Sequence, residues 1–90
     1  MATLTPYQRD ILIRTVAGEA MSESPAGQAA VVHTILNRAA DGRWPSDPAK
    51  VALQPQQFSA WNKGAGGNAL PYTIKPGSAA YEAIGQLVDG

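Results

Sequence analysis

The stretch from Val16 to Arg38 reads VAGEAMSESPAGQAAVVHTILNR. Glu19 stands where one apolar run ends, and Pro25 opens a second run that is apolar on nearly every face. Helical spacing of the apolar residues on both sides of the polar turn predicts two helices. A helix with hardly any polar face is typical of the centre of a small bundle, so we expect the second helix to be the central one.

Capping residues predict where the helices begin and end. Thr5 and Gln8 form a capping box around a proline at the first helical position, and an Asp-Gly pair ends the second helix. Residues 54–76 lack an apolar period and are rich in glutamine, asparagine, glycine and aromatic residues, which predicts a long loop. The helices are expected over residues 6–20, from Ser22 or Ser24 to 40, from Ser46 or Asp47 to 53, and from 79 to 90.

These signals predict an all-α chain with one domain, residues 1–90. Seven basic and seven acidic residues cancel and no basic run occurs, so we expect no nucleic-acid partner. The lack of cysteine excludes disulfides, thiol catalysis and thiolate metal sites. We expect no membrane span, because no segment approaches the roughly 20 apolar residues that one needs. We expect no export leader ahead of the first helix, so an extracellular target would be reached by processing of a longer precursor, by lysis or with a carrier.

Glu19 is the residue best suited to acid catalysis. Splitting a glycosidic bond requires an acid that stays protonated near neutral pH, which an apolar setting favours. Glu19 follows the apolar Val16 and Ala17, and it lies near a helix C-terminus, where the macrodipole disfavours negative charge. Taken alone, a glutamate at a helix end is more often a solvated surface residue.

The motif context favours catalysis. Four elements occur in the order and spacing of one family: Gly18-Glu19-Ala20, Gly27-Gln28, Leu36-Asn37-Arg38, and Gln57-Phe58-Ser59 followed by Trp61. In these elements the chain resembles the SleB-type cell wall hydrolases, found in bacteria and their phages. The resemblance implies a small lysozyme-like helical domain whose long loop faces glycan, acting at the cell wall or in the periplasm.

The same resemblance implies the reaction. The substrate would be the glycan strands of peptidoglycan, cleaved at the β-1,4 bond between N-acetylmuramic acid and N-acetylglucosamine. Glu19 would act first as general acid and then as general base, in a lytic transglycosylase that leaves a 1,6-anhydro end. Hydrolysis by water, as in a muramidase, stays open as the alternative, and no cofactor is implied.

Substrate contacts are expected from the long loop and from the end of the second helix. Sugar rings pack their C–H faces on aromatic rings, while their hydroxyl and acetamido groups bind amides and hydroxyls. Phe58 suits a core role equally well, and Asn37 a scaffold role. The predicted substrate-binding residues are Gln57, Phe58, Ser59, Trp61, Tyr72 and Asn37.

Three further polar residues are expected to support the structure. Glu23 can favour the start of the second helix or pair with Arg38, which is preferred to a direct chemical role. Arg38 offers a fork of donors that can tie a loop or a carboxylate to the helix. Gln28 belongs to the same group through its place in the family motif.

No metal site is expected. His33 is the single histidine and suits a surface or hydrogen-bonded position on the second helix better than a ligand role. Asp41, Asp47 and Asp89 do not have the spacing of a calcium loop.

The end of the chain leaves a second function open. The sequence stops at Val88-Asp89-Gly90, sooner than the family domain usually does, so a C-terminal truncation is an open alternative. The protein would then be a non-catalytic glycan-binding module, or an inactive wall-associated fragment, that is indifferent to Glu19→Gln. A small helical interaction protein is a third interpretation, but it leaves the ordered motifs unexplained.

Overall fold

The computed structural model describes residues 3–42, 46–54, 58, 61 and 70–90. The predicted all-α class is confirmed, since these residues form helices and no strand. None of the helices in these ranges has the length and apolar character needed to cross a membrane. The helices in chain order are α1 (Pro6–Ala20), α2 (Pro25–Ala40), α3 (Pro48–Leu53), α4 (Leu70–Thr73) and α5 (Ala79–Asp89).

The helix starts follow the capping signals of the sequence. The Thr5 hydroxyl accepts from the backbone N–H of Gln8 at 3.1 Å, and the Gln8 side chain accepts from the N–H of Thr5 at 2.8 Å. Ser24, and not Ser22, caps α2. Asp47 caps α3, and its carboxylate also accepts from the Gln8 side chain at 3.1 Å. The start of α3 is thereby joined to the first turn of α1.

The central helix is α1, so the prediction that α2 is central was wrong. α1 packs against α2, α3, α4 and α5. α2 fully buries only Val32 and Ile35. Much of the apolar character of α2 comes from alanines, whose small side chains gain little from burial. The larger aliphatic side chains of α1 gain more, and its buried residues are Ile11, Leu12, Ile13, Thr15, Val16, Ala17 and Ala20.

A short helix interrupts the predicted loop of residues 54–76. The prediction was wrong at Leu70–Thr73, where α4 lies. Four residues are too few to show a helical period in a sequence, and side-chain contacts from α1 stabilise this turn instead. Arg14 donates from Nη1 to the carbonyls of Pro71 at 3.2 Å and Ile74 at 2.9 Å. Pro71 and Ile74 are buried.

A polar cluster joins α1 to α5. The Tyr81 hydroxyl and the Arg14 guanidinium both donate to the carboxylate of Asp10, the latter at 2.9 Å. Burial of Tyr81, together with its hydrogen bond to Asp10, raises the pKa of the phenol to about 12. Burial alone would raise the pKa of Asp10, but the hydrogen bonds from Arg14 and Tyr81 outweigh it and the pKa lies below its ordinary value.

Candidate active site

Glu19 lies in the last turn of α1 and is exposed. The preceding Val16 and Ala17 are fully buried. The apolar sequence neighbours thus belong to the core, whereas the carboxylate is in solvent. Glu19 therefore lacks the apolar setting that the sequence predicted. The helices that pack on the buried face of α1 leave this side chain exposed.

Two of the predicted substrate residues meet beside α1. The ring centroids of Trp61 and Tyr72 are 5.3 Å apart with the planes at 86°, an edge-to-face pair. The Tyr72 hydroxyl donates to the backbone carbonyl of Trp61. Trp61 is half-buried, while Tyr72 is 47% exposed. The pair therefore offers an aromatic surface that is anchored on one side and open to solvent on the other.

The aromatic pair is anchored to α1 by Thr15. The Trp61 indole N–H donates to the Thr15 hydroxyl at 2.8 Å. Thr15 and Glu19 are four residues apart on α1, which makes them neighbours on the helix surface with Cβ atoms about 5–6 Å apart. The attachment point of the aromatic pair is thus one helical turn from the candidate acid.

Gln28 and Gly27 shape the corner that follows Glu19. Gln28 donates from Nε2 to the carbonyls of Ala20 at 3.1 Å and Met21 at 3.4 Å at the end of α1, where the Ala20 carbonyl also accepts from the N–H of Glu23 at 3.0 Å. At Gly27 an added Cβ would lie 3.1 Å from the Cβ of Glu23. The glycine lets the polar turn approach α2 closely, and the glutamine binds the end of α1.

Phe58 and Arg38 lie together next to Trp61, whose backbone N–H donates to the Phe58 carbonyl at 3.2 Å. Phe58 is buried in the core, as the alternative in the sequence analysis had it. The guanidinium carbon of Arg38 lies 5.6 Å from the centroid of the Phe58 ring, within cation–π range. The expectation that Glu23 favours the start of α2 or pairs with Arg38 stays a prediction.

Asn37 is exposed and belongs to a different surface. It lines two adjoining pockets of about 490 and 440 Å³, together with residues of the N-terminal segment such as Leu4. Neither Glu19 nor Trp61 lines these pockets. The structure thus brings Trp61 and Tyr72 together but does not place Asn37 beside them. Gln57 and Ser59 lie outside the described residues.

A family model described as Cell Wall Hydrolase matches residues 22–90. The chain belongs to the cell wall hydrolase family. Membership indicates an enzyme that hydrolyses the cell wall, whose polymer is peptidoglycan. The match begins three residues after Glu19, so it covers Gln28, Arg38 and Trp61 but not the glutamate itself. No curated protein and no solved structure matches this cell wall hydrolase significantly.

Sequence reasoning missed Thr15 and Arg14 in this cell wall hydrolase. Thr15 was detectable in principle, since it is a polar residue on the apolar face of α1. Arg14 gave no such signal, because its partners Pro71 and Ile74 are distant in the chain. In the described ranges, histidine, aspartate and glutamate side chains form no group of three that could hold a metal ion.

Proposed function

We propose that this cell wall hydrolase is of the SleB type and cleaves the β-1,4 bond between N-acetylmuramic acid and N-acetylglucosamine, with Glu19 as general acid and base. The supporting observation is the attachment of the Trp61–Tyr72 pair to α1 one turn before an exposed carboxylate. An aromatic surface beside an acid is what binding and protonation of a sugar polymer require. The site of action is the cell wall or periplasm.

The reaction that suits one carboxylate is lytic transglycosylation. Glu19 gives its proton to the O4 atom of the departing N-acetylglucosamine as the bond from C1 of the muramic acid breaks. The carboxylate then takes the proton of the C6 hydroxyl as that oxygen bonds to C1, which closes the 1,6-anhydro ring. Because the nucleophile comes from the substrate, the reaction consumes no water and needs no second carboxylate. Ordinary glycosidases, in contrast, use two carboxylates.

The Tyr72 ring is the more accessible half of the glycan surface. It is 47% exposed, and its hydroxyl is already bonded to the backbone of Trp61. The ring face is therefore available for the C–H face of a sugar, while the hydroxyl keeps the ring in place. Such stacking sets the register of the glycan strand relative to Glu19.

The test compares Glu19→Gln with Glu23→Gln, a matched control because both glutamates are exposed and flank the same corner. Each purified chain is incubated with isolated peptidoglycan sacculi, and released muropeptides are identified by mass spectrometry. We expect 1,6-anhydro products from the native chain and from Glu23→Gln. Glu19→Gln should be slower by about 10²- to 10⁴-fold, the usual contribution of a general acid.

Other products would change the assignment. Reducing muramic ends would make the protein a muramidase. Equal release by Glu19→Gln and the native chain would refute the role of Glu19. No release by any chain, with sacculus binding retained in a pull-down, would favour the non-catalytic glycan-binding module. That outcome has its own motivation, since Glu19 lies outside the residues that match the family.

A further inference from the structure

Thr15 is a buried hydroxyl on the face of α1 that otherwise packs aliphatic side chains. It has no exposed surface. Its hydroxyl donates to the carbonyl of Ile11 at 2.7 Å and accepts from the indole N–H of Trp61 at 2.8 Å. A buried hydroxyl is unfavourable unless it is hydrogen-bonded, and here the proton and the oxygen both have partners. The bond to the helix carbonyl uses only the hydroxyl proton. The indole N–H supplies the donor for the hydroxyl oxygen.

Arg14, the residue before Thr15, holds the backbone on either side of Tyr72. Its Nη1 group donates to the carbonyls of Pro71 and Ile74, which lie on the two sides of Tyr72 in the chain. Arg14 is itself held by Asp10 at 2.9 Å. Consecutive residues of α1 thus fix the two aromatic rings, one through its indole and one through its flanking carbonyls.

We infer that Thr15 is a positioning residue for glycan binding, which sets the plane of the Trp61 indole and, through the edge-to-face contact, the Tyr72 ring. This inference rests on the proposed function. Thr15 is buried and touches no substrate; it acts through Trp61. A ring that is already fixed binds a sugar without the entropy loss of being ordered. A freed indole would take up other rotamers and bind the strand less tightly.

The expected kinetic signature follows from that role. Losing a positioned ring weakens binding of substrate and transition state alike, which raises KM and leaves kcat nearly unchanged. Contacts of one aromatic ring correspond to roughly a three- to tenfold change in affinity. Proton transfer by Glu19 does not involve the indole, so kcat should stay within about twofold of the native value.

The experiment uses four single variants of the full chain and the double variant of Thr15→Val with Trp61→Phe. Thr15→Val keeps the shape and removes the hydroxyl, Thr15→Ser restores the hydroxyl, and Trp61→Phe removes the donor. Thr34→Val is the matched control, because Thr34 makes the same bond to the carbonyl four residues earlier, that of Ala30 at 2.9 Å, but is exposed. Hydrogen exchange of the Trp61 indole is followed by NMR, with Trp61→Phe assigning the resonance, and KM and kcat are measured on soluble, uncrosslinked glycan strands.

We expect Thr15→Val to speed indole exchange and raise KM, with Thr15→Ser and Thr34→Val close to the native chain. In the Trp61→Phe background, Thr15→Val should have no further effect on KM. Unchanged indole exchange in Thr15→Val would overturn the inference, as would faster exchange with a native KM. Were Thr15→Val not to fold, a native KM for Trp61→Phe would refute it equally.

Failure of the proposed function is distinguishable from failure of the inference. A native chain that neither binds nor cleaves glycan strands would refute the proposed function, and Thr15 would then have a structural role only, whatever the indole exchange shows. A native chain that cleaves the strands while Thr15→Val keeps the native KM refutes the inference alone.

Discussion

Removing the hydroxyl of Tyr81 tests how α5 is held to α1. The Tyr81 side chain is 6% exposed, and its hydroxyl donates to the Asp10 carboxylate, which Arg14 also binds. Tyr81→Phe keeps the ring and the packing, so it isolates this hydrogen bond. The partner is left with the bond from Arg14 and with whatever water can reach it.

Two magnitudes bound the expected effect. A hydrogen bond to a charged group contributes about 1.5–3 kcal/mol to stability. The Asp10 side chain is 31% exposed, so water replaces part of the lost bond and we expect a loss of about 1–2 kcal/mol. A rise in pKa from 10.0 to about 12 corresponds to roughly 3 kcal/mol at 1.36 kcal/mol per unit. This second figure is an upper limit, because it includes the burial of a phenolate that is absent at neutral pH.

The pH dependence gives an independent sign. The folded pKa of Tyr81 lies above its unfolded value. The contribution of the Tyr81 hydroxyl to the stability of the fold is therefore complete below about pH 10 and is lost as the pH rises toward about 12. The folded pKa of Asp10 is lowered, so its contribution is present above the unfolded value and is lost as the pH falls through the folded one. The difference in the free energy of unfolding between the native chain and Tyr81→Phe should therefore become smaller at both low and high pH.

The assay is unfolding by urea, at pH 7 and at points between pH 3 and 12, and by heat at pH 7, both followed by circular dichroism. Tyr7→Phe is the matched control, since Tyr7 is 60% exposed and the substitution should change stability by less than about 0.5 kcal/mol. At pH 7 the midpoint of thermal unfolding of Tyr81→Phe should fall by roughly 4–16 °C, at 4–8 °C per kcal/mol for a domain of this size. The reasoning would be refuted if Tyr81→Phe were as stable as Tyr7→Phe at pH 7 and lost stability at alkaline pH in the same way.

Three further predictions concern packing and capping. Leu12 has no exposed surface, so Leu12→Ala should cost about 3–5 kcal/mol in urea unfolding; a loss under 1 kcal/mol would mean that α1 is not central. Ser24 accepts from the N–H of Gly27, so Ser24→Ala should cost about 1 kcal/mol, and no loss would argue against this cap. An added Cβ at Gly85 meets the guanidinium of Arg9, so Gly85→Ala should break the ion pair of Arg9 with Asp89. The lowered pKa of Asp89 should then return toward its ordinary value in an NMR titration. An unchanged pKa would show that Arg9 moves without losing its partner.

Helix positions were predictable from the sequence because their signals are local. The capping box of Thr5 and Gln8 and the caps at Ser24 and Asp47 involve residues within three positions of one another. Such contacts form in the helix that they start, whatever packs against it. The bounds of α1 therefore agree with the prediction at both ends.

The candidate site was predictable only in part. The sequence singled out Trp61 and Tyr72 as glycan residues by type, and the structure brings them into one edge-to-face pair. It also grouped Asn37 with them, although Asn37 lines another surface. Residue type indicates which chemistry a side chain can perform, but not which neighbours it will have.

By itself, the sequence determined the all-α class, the bounds of α1 and membership of the cell wall hydrolase family, because each depends on local pattern or motif order. The tertiary structure alone decided that α1 is central and that Thr15 holds an indole 46 residues further along the chain. It also decided that Arg14 stabilises α4. The physical reason is that burial is shared among helices: which face is covered depends on how much apolar area every other helix offers, and no local window of sequence contains that comparison.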